Sequence, residues 1–299
     1  MRALMVANPH AAGGRGRVSL DQIRRRLSAA GLDAQLVEAA GHAEVAPALG
    51  DALRHESPEQ VRVIVAGGDG TINAALPALI GTSFPMAVLP VGSVNVLARE
   101  MGIPPAIEEA IAVAAGGRLR RIDLGAADGR PFALMAGLGF DAAVVHSVAP
   151  EVKNLVGSFA YVARGLSLLA RYRRSRFHIT TDQGGFEADA WLAVVANASR
   201  YTYRWRLAPD ARIDDGYLDL CLFQSQSAAE TTGQVIAALI GRHTRHPGVR
   251  HLRARELRFE CDPPVCVQVD GEAAGETPTE LHVVPEALTV VTPGDARGA

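Results

Sequence analysis

Gly67-Gly68-Asp69-Gly70-Thr71-Ile72-Asn73 places three glycines, a carboxylate and a hydroxyl in seven consecutive residues. Glycine admits positive φ and lets a ligand approach the main chain, and a helix starting behind such a turn offers N–H groups and its positive dipole end to an anion. The chemistry this suits is phosphate binding. Asp69 would repel a bare phosphate, so its presence points to a divalent cation between the two or to the positioning of a reacting hydroxyl. The plain alternative is a glycine-rich turn with an aspartate cap. Two further acidic stretches stand out. Asp210, Asp214, Asp215 and Asp219 surround Gly216 in an oxygen-rich loop of the kind that suits Mg²⁺, or else form a solvated turn. Asp270-Gly271-Glu272 carries a strong hairpin signal in its Asp-Gly pair, followed at once by a carboxylate. His243, His246 and His251 lie among Arg242, Arg245, Arg250, Arg253, Arg255 and Arg258, a poor environment for a metal cation, so residues 242–258 are read as basic and solvated.

The elements that must position these groups follow from periodicity. Val61 to Ala66 is an apolar, β-branched run leading into the glycine turn and a helix, which gives strand, turn and helix start. Before it come a strand over Ala3 to Ala7, a helix capped by Ser19 and reaching about Ala30, a strand over Ala34 to Val37 and a helix over Ala43 to His55. After it, Pro77 predicts a kink or two short helical pieces. Met86 to Leu89 is the next strand, Pro90 to Asn95 a second loop at the same sheet edge, and Val96 to Met101 and Pro105 to Ala115 are helices. Repeated strand-loop-helix units predict a doubly wound parallel sheet. Beyond Leu124 the texture changes to short strands over 132–136, 177–181, 190–196, 218–223, 257–260, 265–269 and 280–284, the pattern of an antiparallel sandwich. Helices over Ser158 to Tyr172 and Ala228 to Ile240 interrupt it. The fold class is therefore an α/β first domain with a mainly antiparallel β-sandwich second domain.

Composition removes several function classes. Acidic residues exceed basic ones by two, so no overall field draws the chain to nucleic acid or membrane. Lys153 is the only lysine, which excludes a Walker A loop and a protein-kinase strand lysine. Cys221, Cys261 and Cys266 have no CxxC spacing and read as reduced thiols in a cytoplasmic protein. The apolar run at Met1 to Ala7 is too short for a signal peptide, and no stretch approaches the twenty apolar residues that a bilayer span requires.

GGDGTIN at 67–73, with Asn8-Pro9 upstream and Pro90-Val91-Gly92-Ser93-Val94-Asn95 downstream, resembles the diacylglycerol kinase catalytic domain family, which includes bacterial lipid kinases and sphingosine kinases. Residues 208–219, APDARIDDGYLD, and 269–272, VDGE, extend the resemblance along nearly the whole chain in the family's order. The glycine-aspartate turn is shared with NAD kinases, whose downstream TPTGS segment is missing here, since Thr277-Pro278-Thr279 continues as Glu280-Leu281.

The resemblance implies a nucleotide-binding domain over 1–124, a lipid-substrate domain over 125–285 and a return strand within 286–299, read at Ala287 to Val291. It implies ATP and Mg²⁺ as cofactors, with Asn8, Gly67 to Asn73 and Ser93 around the nucleotide and Asp69 and Asp123 in the catalytic network around its metal. Glu272 carries over as general base, with Asp270 as its substitute. Asp215 carries over as side-chain ligand of a second, structural Mg²⁺ beside the carbonyls of Arg212 and Tyr217. The implied partner is a lipid met at the membrane surface by a cytoplasmic, peripherally associated enzyme. From the residues themselves, the basic segment 242–258 with Arg171, Arg173, Arg174, Arg176 and the segment 201–206 is a candidate contact for anionic headgroups. No nucleic-acid partner is expected, and a homodimer is a candidate assembly. Ala74 and Val96 stand where the family often has acidic residues, which leaves a catalytically silent lipid or nucleotide sensor as the rival from another class.

Overall fold

The computed structural model describes residues 1–7, 19–39, 41–147, 174–202, 205–225 and 227–294. Asn8, the helix expected over 158–172 and the cations Arg171 and Arg173 lie outside the described residues. The chain forms two compact units, Met1–Leu124 with Pro285–Ala299, and Gly125–Val284.

The first unit alternates β1 (Arg2–Ala7), α1 (Leu20–Ala29), β2 (Asp33–Leu36), α2 (Val45–Leu53), β3 (Val61–Gly67), α3 (Asp69–Leu79), β4 (Met86–Pro90), α4 (Val96–Glu100) and α5 (Ile107–Gly116) before β5 (Arg118–Ala127). The sheet order β2-β1-β3-β4 is parallel throughout. β1, β3 and β4 are nearly continuous apolar runs, the pattern of parallel strands covered on both faces, and Met5, Val63, Ile64 and Val65 are fully buried. α1 starts where its cap predicts: Ser19 and Gln22 close a capping box, each side chain accepting the other's backbone N–H at 3.2 Å. α3 runs as one element through Pro77. The proline sits near the end of that helix, where few hydrogen bonds remain to be lost, so it does not divide the helix into two pieces.

The second unit contains β6 (Arg130–Phe132), β7 (Met135–Gly139), α6 (Phe140–Ser147), β8 (Ser175–Thr181), β9 (Gly184–Ala196), β10 (Leu218–Gln224), α7 (Ala228–Leu239), β11 (Val249–Ala254), β12 (Glu256–Asp262), β13 (Cys266–Val269), β14 (Glu272–Glu276) and the start of β15 (Thr279–Thr292). The order β14-β13-β7-β9-β8-β12-β15 is joined by antiparallel pairs, with β10 and β11 branching from β9. β9 pairs with β8 up to Ala190 and with β7 from Leu192 onward, so one strand serves both parts of the sheet. Phe132, Phe177 and Phe259 anchor the core, the last two edge to face with centroids 6.5 Å apart. Complete burial of each such ring stabilises by about 1.5–3 kcal/mol. The second part of β15 returns to the first unit and lies parallel to β4, with Val290 opposite Met86.

The arginines of residues 242–258 are exposed, as a solvated segment requires, but the segment also forms sheet and buries His243, which that reading did not foresee. Val249–Ala254 is a strand paired along its whole length with β10. His243 is fully buried, stacks on Phe223 with centroids 5.9 Å apart, and meets the Leu207 carbonyl through Nε2 at 2.9 Å. Arg250 and His251 are exposed on a strand whose end residues, Val249 and Ala254, are buried, so the charges conceal a sheet-forming segment.

Candidate functional site

β3 and β4 are parallel neighbours with Gly67 opposite Pro90, so both deliver their loops to the carboxyl edge of the first-unit sheet. The two loops touch through backbone. A Cβ on Gly92 would lie 2.5 Å from Gly68 Cα and 2.6 Å from Asn95 Oδ1, and one on Gly67 would lie 2.3 Å from Thr71 Oγ1. Any side chain at either position would fill the cradle. Asn95 closes the second loop in the left-handed region, at φ +53°. Its Nδ2 donates to the carbonyls of Pro90 and Gly92 at 3.1 and 2.8 Å, while its Oδ1 is buried without a hydrogen-bond partner. A buried acceptor lacking a donor costs about 1–3 kcal/mol. A ligand hydroxyl or amine, or a metal-bound water, would remove that cost. Cradle, helix start and orphaned acceptor together fit a nucleotide.

Several expected contacts acquire local duties. The N–H groups of Thr71 and Ile72 turn onto the Gly68 carbonyl at 3.0 and 3.2 Å, which commits two amides of the glycine turn to the turn itself. Asp69 accepts the N–H of Val96 at 2.9 Å and that of Leu97 at 3.0 Å, so it caps α4 across the two loops. Asp123 is buried and accepts the Glu286 N–H at 2.8 Å, fixing a residue of β15 held at φ +50°. Each carboxylate oxygen has a second lone pair, so these bonds orient Asp69 and Asp123 without exhausting them. Ser93 is exposed on the same loop as Asn95. The sequence reading missed His42, whose Nε2 meets the Gly70 carbonyl at 2.6 Å. A carbonyl can only accept, so this contact places the proton on Nε2.

In the second unit Asp270 and Gly271 form the two-residue turn between β13 and β14, at φ +46° and +81°, with Val269 paired to Glu272. Positive φ at both positions is the geometry for which the Asp-Gly pair is selected. Asp270 accepts three backbone N–H groups, those of Ala133, Leu134 and Met135, at 2.7, 3.0 and 2.9 Å. It straps the turn to the start of β7. Glu272, the first residue of β14, pairs with Arg130 at 2.5 Å and keeps 35% of its side chain exposed. Arg130 also donates to the Ala273 carbonyl at 2.7 Å. Nothing in the sequence around Arg130 signals this partnership, because 142 positions separate it from Glu272.

The expected structural Mg²⁺ fits poorly. Asp215 Oδ1 accepts the Tyr217 N–H at 3.2 Å, and its Oδ2 is ion-paired with Arg253. Arg253 Nε also lies 3.8 Å from Asp219 Oδ1, and the guanidinium groups of Arg253 and Arg255 stand 4.6 and 5.0 Å from the Tyr217 ring centroid. The buried, unpartnered Oδ2 of Asp219 favours a cation, and burial pushes that carboxyl up to about 6, with Arg253 pulling it down and Asp215 and Asp210 adding to the rise. Against this, a guanidinium already holds the carboxylate that would ligate the metal. Asp215 and Tyr217 are therefore organised around the Arg253 guanidinium, while the exposed Arg212 side chain lies 3.9 Å from Asp214.

Comparison with known proteins matches residues 2–127 to the profile "Diacylglycerol kinase catalytic domain" and residues 135–292 to "YegS C-terminal NAD kinase beta sandwich-like domain". A diacylglycerol kinase of Staphylococcus saprophyticus is 28% identical over 99% of this chain and 97% of its own length. One of Staphylococcus epidermidis is 29% identical over 82% and 78%. Among solved structures, one from Bacillus anthracis superposes with a TM-score of 0.79 at 21% identity, covering 97% of this chain and 95% of that one. Another from the same organism, described as a diacylglycerol kinase, gives 0.72 at 18% over 97% and 96%. These structural likenesses carry the fold, and the two profiles carry the family. With its α/β unit matching one profile and its β-rich unit the other, the chain belongs to the diacylglycerol kinase family and is a lipid kinase.

Proposed function

We propose that this enzyme transfers the γ-phosphoryl group of ATP to a hydroxyl of a diacylglycerol-like, sphingoid or phosphatidylglycerol-like lipid at a membrane surface. The observation that carries the nucleotide part is the side-chain-free contact of Gly68 with Gly92 beside the unpartnered Asn95 Oδ1. Main chain from Gly67 to Gly70 and the start of α3 receive phosphate oxygens, in place of the lysine that this sequence does not supply there. Asp69 and Asp123, held by their backbone bonds, are the carboxylates that would hold Mg²⁺ in the first unit, and that ion supplies charge neutralisation on the phosphates when bound. Glu272 accepts the proton of the lipid hydroxyl, and Arg130 fixes its orientation. Since the transfer is mainly a matter of position and charge, these contacts supply what the reaction needs.

Radiolabelled ATP offered with a panel of lipids tests the proposal. Labelled lipid is expected with at least one hydroxylated lipid, and only with divalent metal present. Tight nucleotide or lipid binding without transfer to any of them would instead favour the sensor reading.

A further inference from the structure

A second hydrogen-bonded chain reaches the turn that carries Glu272. Gln268, in the middle of β13, is 2% exposed. Its Oε1 accepts the Gly271 N–H at 2.6 Å, and its Nε2 donates to Asp141 Oδ2 at 2.8 Å. Asp141, in the first turn of α6, also accepts the Tyr201 hydroxyl on Oδ1. An amide side chain can point either way, and Asp141 removes that freedom: an acceptor on one side forces Nε2 toward it and leaves Oε1 for Gly271. The chain has been given room. Gly137 lies opposite Gln268 in the β7–β13 register, and a Cβ there would stand 2.4 Å from Asp141 Oδ2 and 2.7 Å from Gln268 Nε2.

We infer that Asp141 and Gln268 are positioning residues for Glu272, fixing the turn through the Gly271 N–H while the Asp270 strap holds its other residue. The inference rests on Glu272 being the base. It explains a partly buried carboxylate that the nucleotide and metal assignments do not use, and burial pushes that carboxyl upward against its two hydrogen bonds. The Asp141 carboxylate touches no reacting atom in this account; it acts through Gln268. Without it Gln268 can flip, the Gly271 N–H loses its acceptor, and Glu272 samples orientations in which it misses the hydroxyl.

The test uses the full chain with Asp141→Asn, Asp141→Ala, Gln268→Leu and Glu272→Gln. Asn retains both contacts, with Oδ1 accepting from Gln268 and Nδ2 donating to Tyr201, so Asp141→Asn is expected to stay within about twofold of wild-type kcat. Asp141→Ala and Gln268→Leu are expected to lower kcat about tenfold or more with KM for ATP unchanged, and to speed amide hydrogen exchange at Gly271 by a similar factor. Wild-type kcat in a folded Asp141→Ala protein, or unchanged Gly271 exchange in either variant, overturns the positioning role. Should Gln268→Leu fail to fold, the Asp141→Asn and Asp141→Ala pair decides by the same readouts. Undiminished turnover in Glu272→Gln overturns the base assignment instead, and Gly271 exchange distinguishes that failure from this one.

Discussion

Asp69 shows how one carboxylate acquires two duties. Its oxygens accept the N–H groups of Val96 and Leu97, which are first-turn donors of α4 with no partner inside that helix. The sequence offers a catalytic role and an aspartate cap as alternatives, and on the catalytic one alone Asp69→Ala would remove turnover and spare the fold. The cap changes that expectation. Asp69→Ala should abolish phosphoryl transfer and also lower unfolding free energy by about 1 kcal/mol, the usual cost of losing such an acceptor. Asp69→Asn, which keeps one accepting oxygen, should recover part of the stability and none of the activity. Urea unfolding beside a turnover assay separates the two duties; equal stability of Asp69→Ala and wild type would remove the capping role. Gly92 gives a second residue-scale test. A methyl there must displace the Gly68 backbone, so Gly92→Ala should raise KM for ATP far more than it changes the KM for lipid.

At the scale of elements, the pairing of β10 with β11 sets the partly covered His251 ring against the buried Cys221 and His243. His251 Nδ1 lies 3.1 Å from Cys221 Sγ, and the His251 ring is 6.3 Å from that of His243. Burial, then the neighbouring His243, pull the His251 pKa below its ordinary value, with Asp210 opposing. A base with a depressed folded pKa is protonated more readily in the unfolded chain. This stabilising preference for the folded state is therefore complete above about pH 6.5 and is lost as pH falls below it. Urea midpoints should drop between pH 7.5 and 5.5, and His251→Gln should flatten that drop; an equal slope in the variant would assign it elsewhere. The metal question also belongs here. With Arg253 on Asp215, EDTA should leave the melting temperature of the nucleotide-free protein unchanged. Arg253→Ala should lower stability by about 1 kcal/mol or less, because the guanidinium is about half exposed, and should make melting respond to Mg²⁺. A fall in melting temperature on EDTA treatment of the wild type would restore the metal. The parallel half of the fold was legible because buried strands read as unbroken apolar runs, and the Asp270–Gly271 turn because its geometry admits few other residues. β11 was not, since Arg250, His251 and Arg253 interrupt its pattern, and β14, EAAGE, has almost no apolar signal. The links of Asp141 to Gln268 and Arg130 to Glu272 span 127 and 142 positions, and only tertiary structure brings such pairs together.

For the whole molecule, a net charge of −2 means that attraction to an anionic membrane must come from local surface. The described second unit offers two kinds. Arg206, Arg242, Arg245 and Arg250 are exposed cations, and Ile236 and Ile240 are 53% and 60% exposed, with Trp205 37% exposed. Exposed charges act over a Debye length of about 8 Å at physiological salt and are screened beyond it. Apolar insertion is insensitive to moderate salt and scales with buried area, at roughly 25 cal/mol per Å². Two exposed isoleucines and a tryptophan supply little area, so the cations should dominate. Binding to vesicles containing anionic lipid should weaken steeply between 0.05 and 0.5 M salt on this electrostatic account. Arg242→Glu with Arg245→Glu should weaken it further while leaving turnover on detergent-dispersed lipid intact, because neither residue belongs to the proposed site. Salt-independent binding that is lost in Ile236→Ser with Ile240→Ser would assign docking to the apolar side chains. No binding to neutral vesicles at any salt concentration would be the complementary sign that charge alone brings the enzyme to its lipid.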